Sequence, residues 1–309
     1  MGNGRRFFRF DVPIHIYLQR ESSEWKQTLQ QLKGPQSTAL QRKIESLNIT
    51  VDQLLEELST RGAPLYPLFS SINHRLNYFF WLLQQLLDQQ NPRAHAEYKY
   101  RARDDLKYLP PEVKKDSPTS HLVAGLYAEL EEELSSLKES IEHSLDEGLF
   151  IFPQAEREDF DVHFYVSNLE QLVAQGMTAA VVLDALIRKY NQLNALYNLL
   201  KRAYAPISHP EQWPKRMINL SSGGLGFVSA NPFKVLEQVN VFMELDRVVM
   251  VKGKVLYSRK IRSTEGEQFR TAIEFIMPSS RTQLDIDRFL QHQEVRQAMQ
   301  KVPVISSWV

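Results

Sequence analysis

The 309-residue chain has no cysteine, which excludes disulfide frameworks, thiolate nucleophiles, CxxC redox pairs and cysteine-built zinc sites. It has no excess of charge either: 37 Lys and Arg balance 37 Asp and Glu. The whole chain therefore makes no electrostatic case for binding a nucleic-acid polymer, where a strongly basic domain is usual. No run reaches the roughly 18 to 20 apolar residues of a membrane span, and the densest stretch, Tyr78 to Leu87, is broken by Gln84 and Gln85. The first residues have the basic-then-apolar order of a secretion signal. Arg9 and Asp11 interrupt that stretch and no small-residue cleavage site follows, so the segment reads as mature protein. Arg6 stands where a myristoylation signal needs Ser or Thr.

Catalytic motifs are missing as well. The eight histidines form no HExxH or Glu-x-x-His pair, and they read as surface or packing residues. There is no Gly-Lys-Ser/Thr for a P-loop. Ser221 is no nucleophile elbow, because Asn219 stands where the first glycine of G-x-S-x-G belongs. The acidic run Glu129 to Glu133 lies beside a leucine seam and reads as a solvated helix face. The expectation is a protein that binds rather than turns over.

What remains is ordinary in composition, 43% apolar and 24% charged, as for a soluble globular protein of two or three domains. The charge is unevenly spread. Residues 1–19 and 215–309 hold 17 Lys/Arg against 10 Asp/Glu, a net +7, which leaves −7 on residues 20–214. Residues 12–18, V-P-I-H-I-Y-L, alternate apolar and polar as a strand does, with Pro13 suggesting an edge or a strand start. The period then changes to three and four at Leu40, Ile44, Leu47, Val51, Leu54 and Leu58, and again from Leu65 to Leu86. It persists from Leu122 to Leu145, with Gly148 as the stop, and from a capping box at Ser167 and Glu170 through Met177 to Leu200. Residues 20–211 therefore read as a helical bundle. The leucine seam and Tyr78-Phe79-Phe80-Trp81 must be covered, either inside the bundle or by a second subunit.

Helix-breaking residues cluster from Pro206 to Pro214, and a period of two returns in five strands: Arg216–Leu220, Gly226–Ser229, Val239–Leu245, Val248–Ser258 and Phe269–Ile276. A closing helix spans Thr282–Gln300. The strand at 12–18 has no other sheet to join, so residues 1–19 and 212–309 are expected to build one antiparallel barrel. The fold class is then α+β, with the helical segment inserted between the first two strands; loop-closure cost grows only logarithmically with length, so a long insertion is tolerated.

Two features suit a phosphorylated ligand. Arg5, Arg6 and Arg9, interleaved with Phe7 and Phe8, offer planar guanidinium forks for phosphate oxygens or the guanine O6/N7 edge; the alternative is a solvated basic terminus. Asn219, Ser221, Gly223 and Gly224 lie in a strand running into a polar glycine-rich turn, which could meet a base edge or be a structural turn only. In order, R-x-x-x-R at Arg5 and Arg9 before a strand and N-x-S-x-x-G at Asn219, Ser221 and Gly224 resemble the PilZ family of cyclic di-GMP receptors. The resemblance extends over the C-terminal strands and helix, and covers roughly 1–19 and 212–300.

The resemblance implies that the barrel binds cyclic di-GMP, as an intercalated dimer, in a bacterial cytoplasm. Arg5 and Arg9 would grip phosphate and the guanine Hoogsteen edge, with Arg6 as a third contact. Asn219 and Ser221 would hydrogen-bond a guanine, and Gly223 and Gly224 would shape the turn and leave room for it. No cofactor or metal is expected, and the helical insertion would serve a protein partner or self-association. The other reading is an assembly or adaptor module that binds no nucleotide and acts through its helices.

Overall fold

The computed structural model describes residues 9–20, 29–30, 32–108, 118–145, 149–152, 156–160, 169–262 and 266–301. The chain divides into two compact units, one of Met1–Lys26 with His209–Val309 and one of Gln27–Ser208.

The first unit is a closed six-stranded antiparallel barrel. Its strands are β1 (Phe10–Arg20), β2 (Lys215–Ser221), β3 (Gly224–Ser229), β4 (Gln238–Glu244), β5 (Val248–Ile261) and β6 (Gln268–Phe275), in the order β1-β2-β3-β6-β5-β4. The N-terminal strand completes the barrel, and the helical segment is an insertion between β1 and β2. One strand closes the ring by changing partner midway: Phe10 to His15 pair with β2, and Ile16 to Arg20 pair with β4. Pro13 thus falls in the half of β1 that is paired on one flank only, where its missing N–H is tolerated.

Alternation sends Val12, Ile14 and Ile16 inward to meet Ile218, Leu220, Leu225, Phe227, Val241, Val251 and Ile273. The helix Ser280–Lys301 adds Ile286, Phe289 and Leu290 to the same core. β3 begins two residues earlier than its alternation predicts. The reason is that Ser221 pairs with Gly224 across the two-residue turn Ser222-Gly223, so Gly224 belongs to the ladder.

The second unit contains, among its described residues, α1 (Pro35–Thr60), α2 (Tyr66–Leu87), α3 (Tyr98–Asp105), α4 (Pro118–Glu142), α5 (Leu169–Ala174) and α6 (Thr178–Ser208); the helix of the barrel unit is α7. Ile44, Val51 and Leu58 are buried on α1, as are Phe69, Ile72, Leu76, Phe79, Leu83 and Leu86 on α2. Leu122, Leu126, Leu130, Leu134, Leu137 and Ile141 are all fully buried within the chain. The seam thus gives no reason for self-association.

Three expectations fail here. The helix read as continuous from Ser167 is interrupted, because Gly176 takes a left-handed φ of 71° that glycine adopts without strain. Met177, placed on the apolar seam, is 49% exposed; Ser167 and Gly148 lie outside the described residues. The cluster expected to end the last helix before Pro206 does not: that proline lies inside α6, near its end. The third is the acidic run. Glu133 is fully buried, and Arg157 reaches Glu129 at 2.7 Å and also pairs with Glu132. Its Nε lies 2.9 Å from Glu133 Oε1, an ionic contact outside hydrogen-bond geometry. Lys201 Nζ lies 3.4 Å from the other Glu133 oxygen. Burial pushes the Glu133 carboxyl up, against the pull of Lys201 and Arg157.

Candidate functional site

The register of β1 on β2 decides whether the two sequence motifs meet. Asp11 is paired with Asn219, so the residue just before the strand, Arg9, comes beside the same position. Arg9 Nη1 donates to Asn219 Oδ1 at 3.5 Å, and Asn219 Nδ2 donates to Asp11 Oδ1 at 2.7 Å. The amide is therefore held from both sides by groups about 210 positions away in sequence, with its orientation set by a cation and an anion. Arg5 and Arg6 lie outside the described residues.

Ser221 and the glycines occupy the β2–β3 turn. Ser221 is 3% exposed and donates its hydroxyl to Gly224 O at 2.9 Å, closing the turn. The carbonyl of Gly223 accepts from Phe275 N at 3.0 Å, which ties the turn to β6. Gly224 has a local structural reason to be glycine: a Cβ there would lie 2.3 Å from Ile273 O. Gly226 has none. A Cβ there would find only Asn219 Cβ and Thr271 O, each at 3.8 Å, so its missing side chain leaves space that the fold itself does not require.

The ladders line these residues up on the outer face of the barrel. One cross-strand row runs Asp11, Asn219, Gly226, Ala272 and Tyr257 through β1, β2, β3, β6 and β5. On one side of it lies the row Ser221, Gly224, Glu274 and Lys254; on the other, Val228, Arg270 and Arg259. The centre, at Gly226 and Ala272, is poor in side chains; around it stand the basic residues Lys254, Arg259 and Arg270, with Glu274 opposite Lys254 and Asp11 bonded to Asn219. A flat base with attached anionic groups matches that pattern better than an apolar or cationic ligand does.

Asp11 and Gly226 were not singled out in the sequence, and only the register reveals them, since neither carries a local motif. Among the described residues no group of three His, Asp or Glu could hold a metal ion, and no helix is long and apolar enough to cross a membrane.

Residues 201–292 match the family model for the PilZ domain. The match takes in β2 to β6 and the first half of α7, while β1 and the arginines that precede it lie outside. No curated protein and no solved structure matches the chain.

Proposed function

Taking the barrel as a PilZ domain, we propose that the protein is a cyclic di-GMP receptor whose ligand lies on the outer face of β1, β2 and β3. Arg5, Arg6 and Arg9 bind phosphate and the Hoogsteen edge of guanine, as forked guanidinium donors do. Asn219 hydrogen-bonds a guanine, with Ser221, Gly223 and Gly224 fixing the turn beside it. The observation that carries this reading is the meeting of Arg9, Asp11 and Asn219 in one hydrogen-bonded group despite the inserted helices. Neither Arg9 nor Asn219 is needed for the apolar core, and the family whose domain is matched is one of receptors rather than enzymes.

Calorimetric titration of the full chain with cyclic di-GMP tests it. Charge-assisted hydrogen bonds contribute about 1.5 to 3 kcal/mol, so Arg5→Ala or Arg9→Ala should each weaken binding roughly 10- to 150-fold. Cyclic di-AMP should bind far more weakly, since the wrong base leaves polar groups unpaired. Affinity unchanged in both arginine variants would remove the site assignment.

A second reading keeps the barrel as an assembly module acting through the helical unit. It is favoured by one observation, that Ser221 already has its hydroxyl satisfied inside the turn. Absence of binding by the wild-type chain would select it. Under the receptor reading, a ligand held by Arg5 and Arg9 bears on β1, the strand that precedes the helical unit in the chain. Hydrogen exchange should then show ligand-dependent protection beyond residues 5–18 and 219–226, extending to helical peptides; protection confined to the two motifs would mean binding without coupling.

A further inference from the structure

On the outer face of the barrel Arg259 stands directly opposite Arg270 across β5 and β6. Like charges facing each other in an antiparallel pair destabilise it, and the surroundings do not cancel this pair. Both side chains are exposed, and among the described residues neither lies within salt-bridge distance of a carboxylate. The acid nearest in the ladder, Glu274, has Lys254 directly opposite it, and Glu267 is paired with Lys260. On the other flank of Arg270 the facing residue is Val228, 42% exposed and uncharged.

This juxtaposition is made by an irregularity in the strand. Val255 pairs with Ile273 and both point into the core, yet two residues later the register has shifted so that Tyr257 pairs with Ala272. Without the extra residue, Leu256, strand alternation would turn Tyr257 and Arg259 inward. The bulge sends them to the outer face, in line with Asn219 and Gly226, and bulges commonly re-aim side chains at functional sites. Tyr257 also steadies the charge: the Arg259 guanidinium lies 5.3 Å from its ring centroid. Arg270 sits two strands from β2, roughly 10 Å at the ordinary strand spacing. That separation suits a ligand carrying two anionic groups, one toward Arg9 and one toward Arg270.

We infer that Arg259 and Arg270 form a second anion-binding point of the same face, taking the phosphate of a cyclic dinucleotide that lies remote from Arg9. This rests on the receptor reading above, and it adds to it a reason for preferring a ligand with two phosphates over a mononucleotide. The pair tolerates its mutual repulsion because an anion relieves it when bound.

The test is calorimetry on the full chain with two probes, cyclic di-GMP and GMP. Arg259→Gln and Arg270→Gln should each weaken cyclic di-GMP binding about tenfold, as expected for losing a charge-assisted contact, and leave GMP binding where it is in the wild type. Their unliganded unfolding midpoints at low ionic strength should be unchanged or raised. Wild-type binding that both variants reproduce would overturn the second anchor while leaving the receptor reading intact. Equal losses for both probes, or a lowered midpoint accompanying the loss, would assign the pair to the fold and overturn it too. No binding of cyclic di-GMP by the wild type would overturn both readings together.

Discussion

In the helical unit Glu133 is fully buried between Arg157 and Lys201. Arg75, 3% exposed, is held by Asp105 at 3.1 Å and by Glu131 and Tyr127. On the outer face of the barrel, Arg259 and Arg270 face each other, both exposed and, among the described residues, with no carboxylate within salt-bridge distance. The Glu133 and Arg75 charges are consumed in holding helices together; the Arg259 and Arg270 charges are left over after the fold is complete. The difference separates residues whose loss should unfold the protein from residues whose loss should only cost it a ligand.

The comparison is tested most severely at Glu133. Glu133→Ala takes from Lys201, 5% exposed, the buried carboxylate 3.4 Å from its ammonium, and breaking a buried ion pair from one side costs about 3 to 5 kcal/mol. Amide exchange in α4 and α6 of the full chain should accelerate accordingly, while the barrel strands keep their protection. Unaltered exchange in α6 would mean the cluster contributes nothing net to stability.

Two glycines on neighbouring rows sharpen the same contrast within the barrel. Gly224→Ala drives a methyl onto the Ile273 carbonyl oxygen, and forcing the β3–β6 ladder apart should cost about 1 to 3 kcal/mol. Gly226→Ala meets only ordinary contacts, and replacing a strand glycine by alanine stabilises by roughly 0.5 to 1 kcal/mol. The methyl would nonetheless stand in the row between Asn219 and Ala272. The expected result is a protein with an equal or higher unfolding midpoint and weaker cyclic di-GMP binding. A Gly226→Ala protein that binds at wild-type affinity would show that the ligand does not use this row.

The barrel was legible because its strands announce themselves by period two: Val12, Ile14 and Ile16 alternate inward as written. A short motif also survives insertion, since Arg9 and Asn219 need only a common register, whatever lies between. The charged residues of the helical unit were not legible for the opposite reason. Glu133 looks like its exposed neighbours Glu131 and Glu132 until Arg157, 24 positions later, lies beside it. Lys189 carries no local sign of being fully buried. The outer-face row was hidden too, because a single extra residue at Leu256 reverses which side chains of β5 face out, and periodicity reads straight through such a slip.

Lys189 yields the predicted effect that titrates. Its ammonium is fully buried on α6 and donates to Asn73 Oδ1 and Asn77 Oδ1, each at 2.6 Å; Asn73 in turn donates to Asp52 at 3.0 Å. Two neutral amides do not replace bulk water for a charge, and burial lowers the amine to about 7, partly opposed by Asp52. An unfolded lysine keeps its proton to about 10.4. Between these values the unfolded chain binds more protons than the folded one, so stability must rise with pH and the charged form is a burden that deprotonation removes. The slope approaches about 1.4 kcal/mol per pH unit at most. Measured between pH 7.5 and 8.5, above ordinary histidine titration and below that of tyrosine, amide protection in α2 and α6 should increase in the wild type. Lys189→Met keeps the length of the apolar stem and has nothing to titrate. It should flatten that increase and protect the helices better than the wild type at pH 7. If both proteins show the same pH slope, the proton is being exchanged elsewhere and Lys189 is as charged when folded as when unfolded.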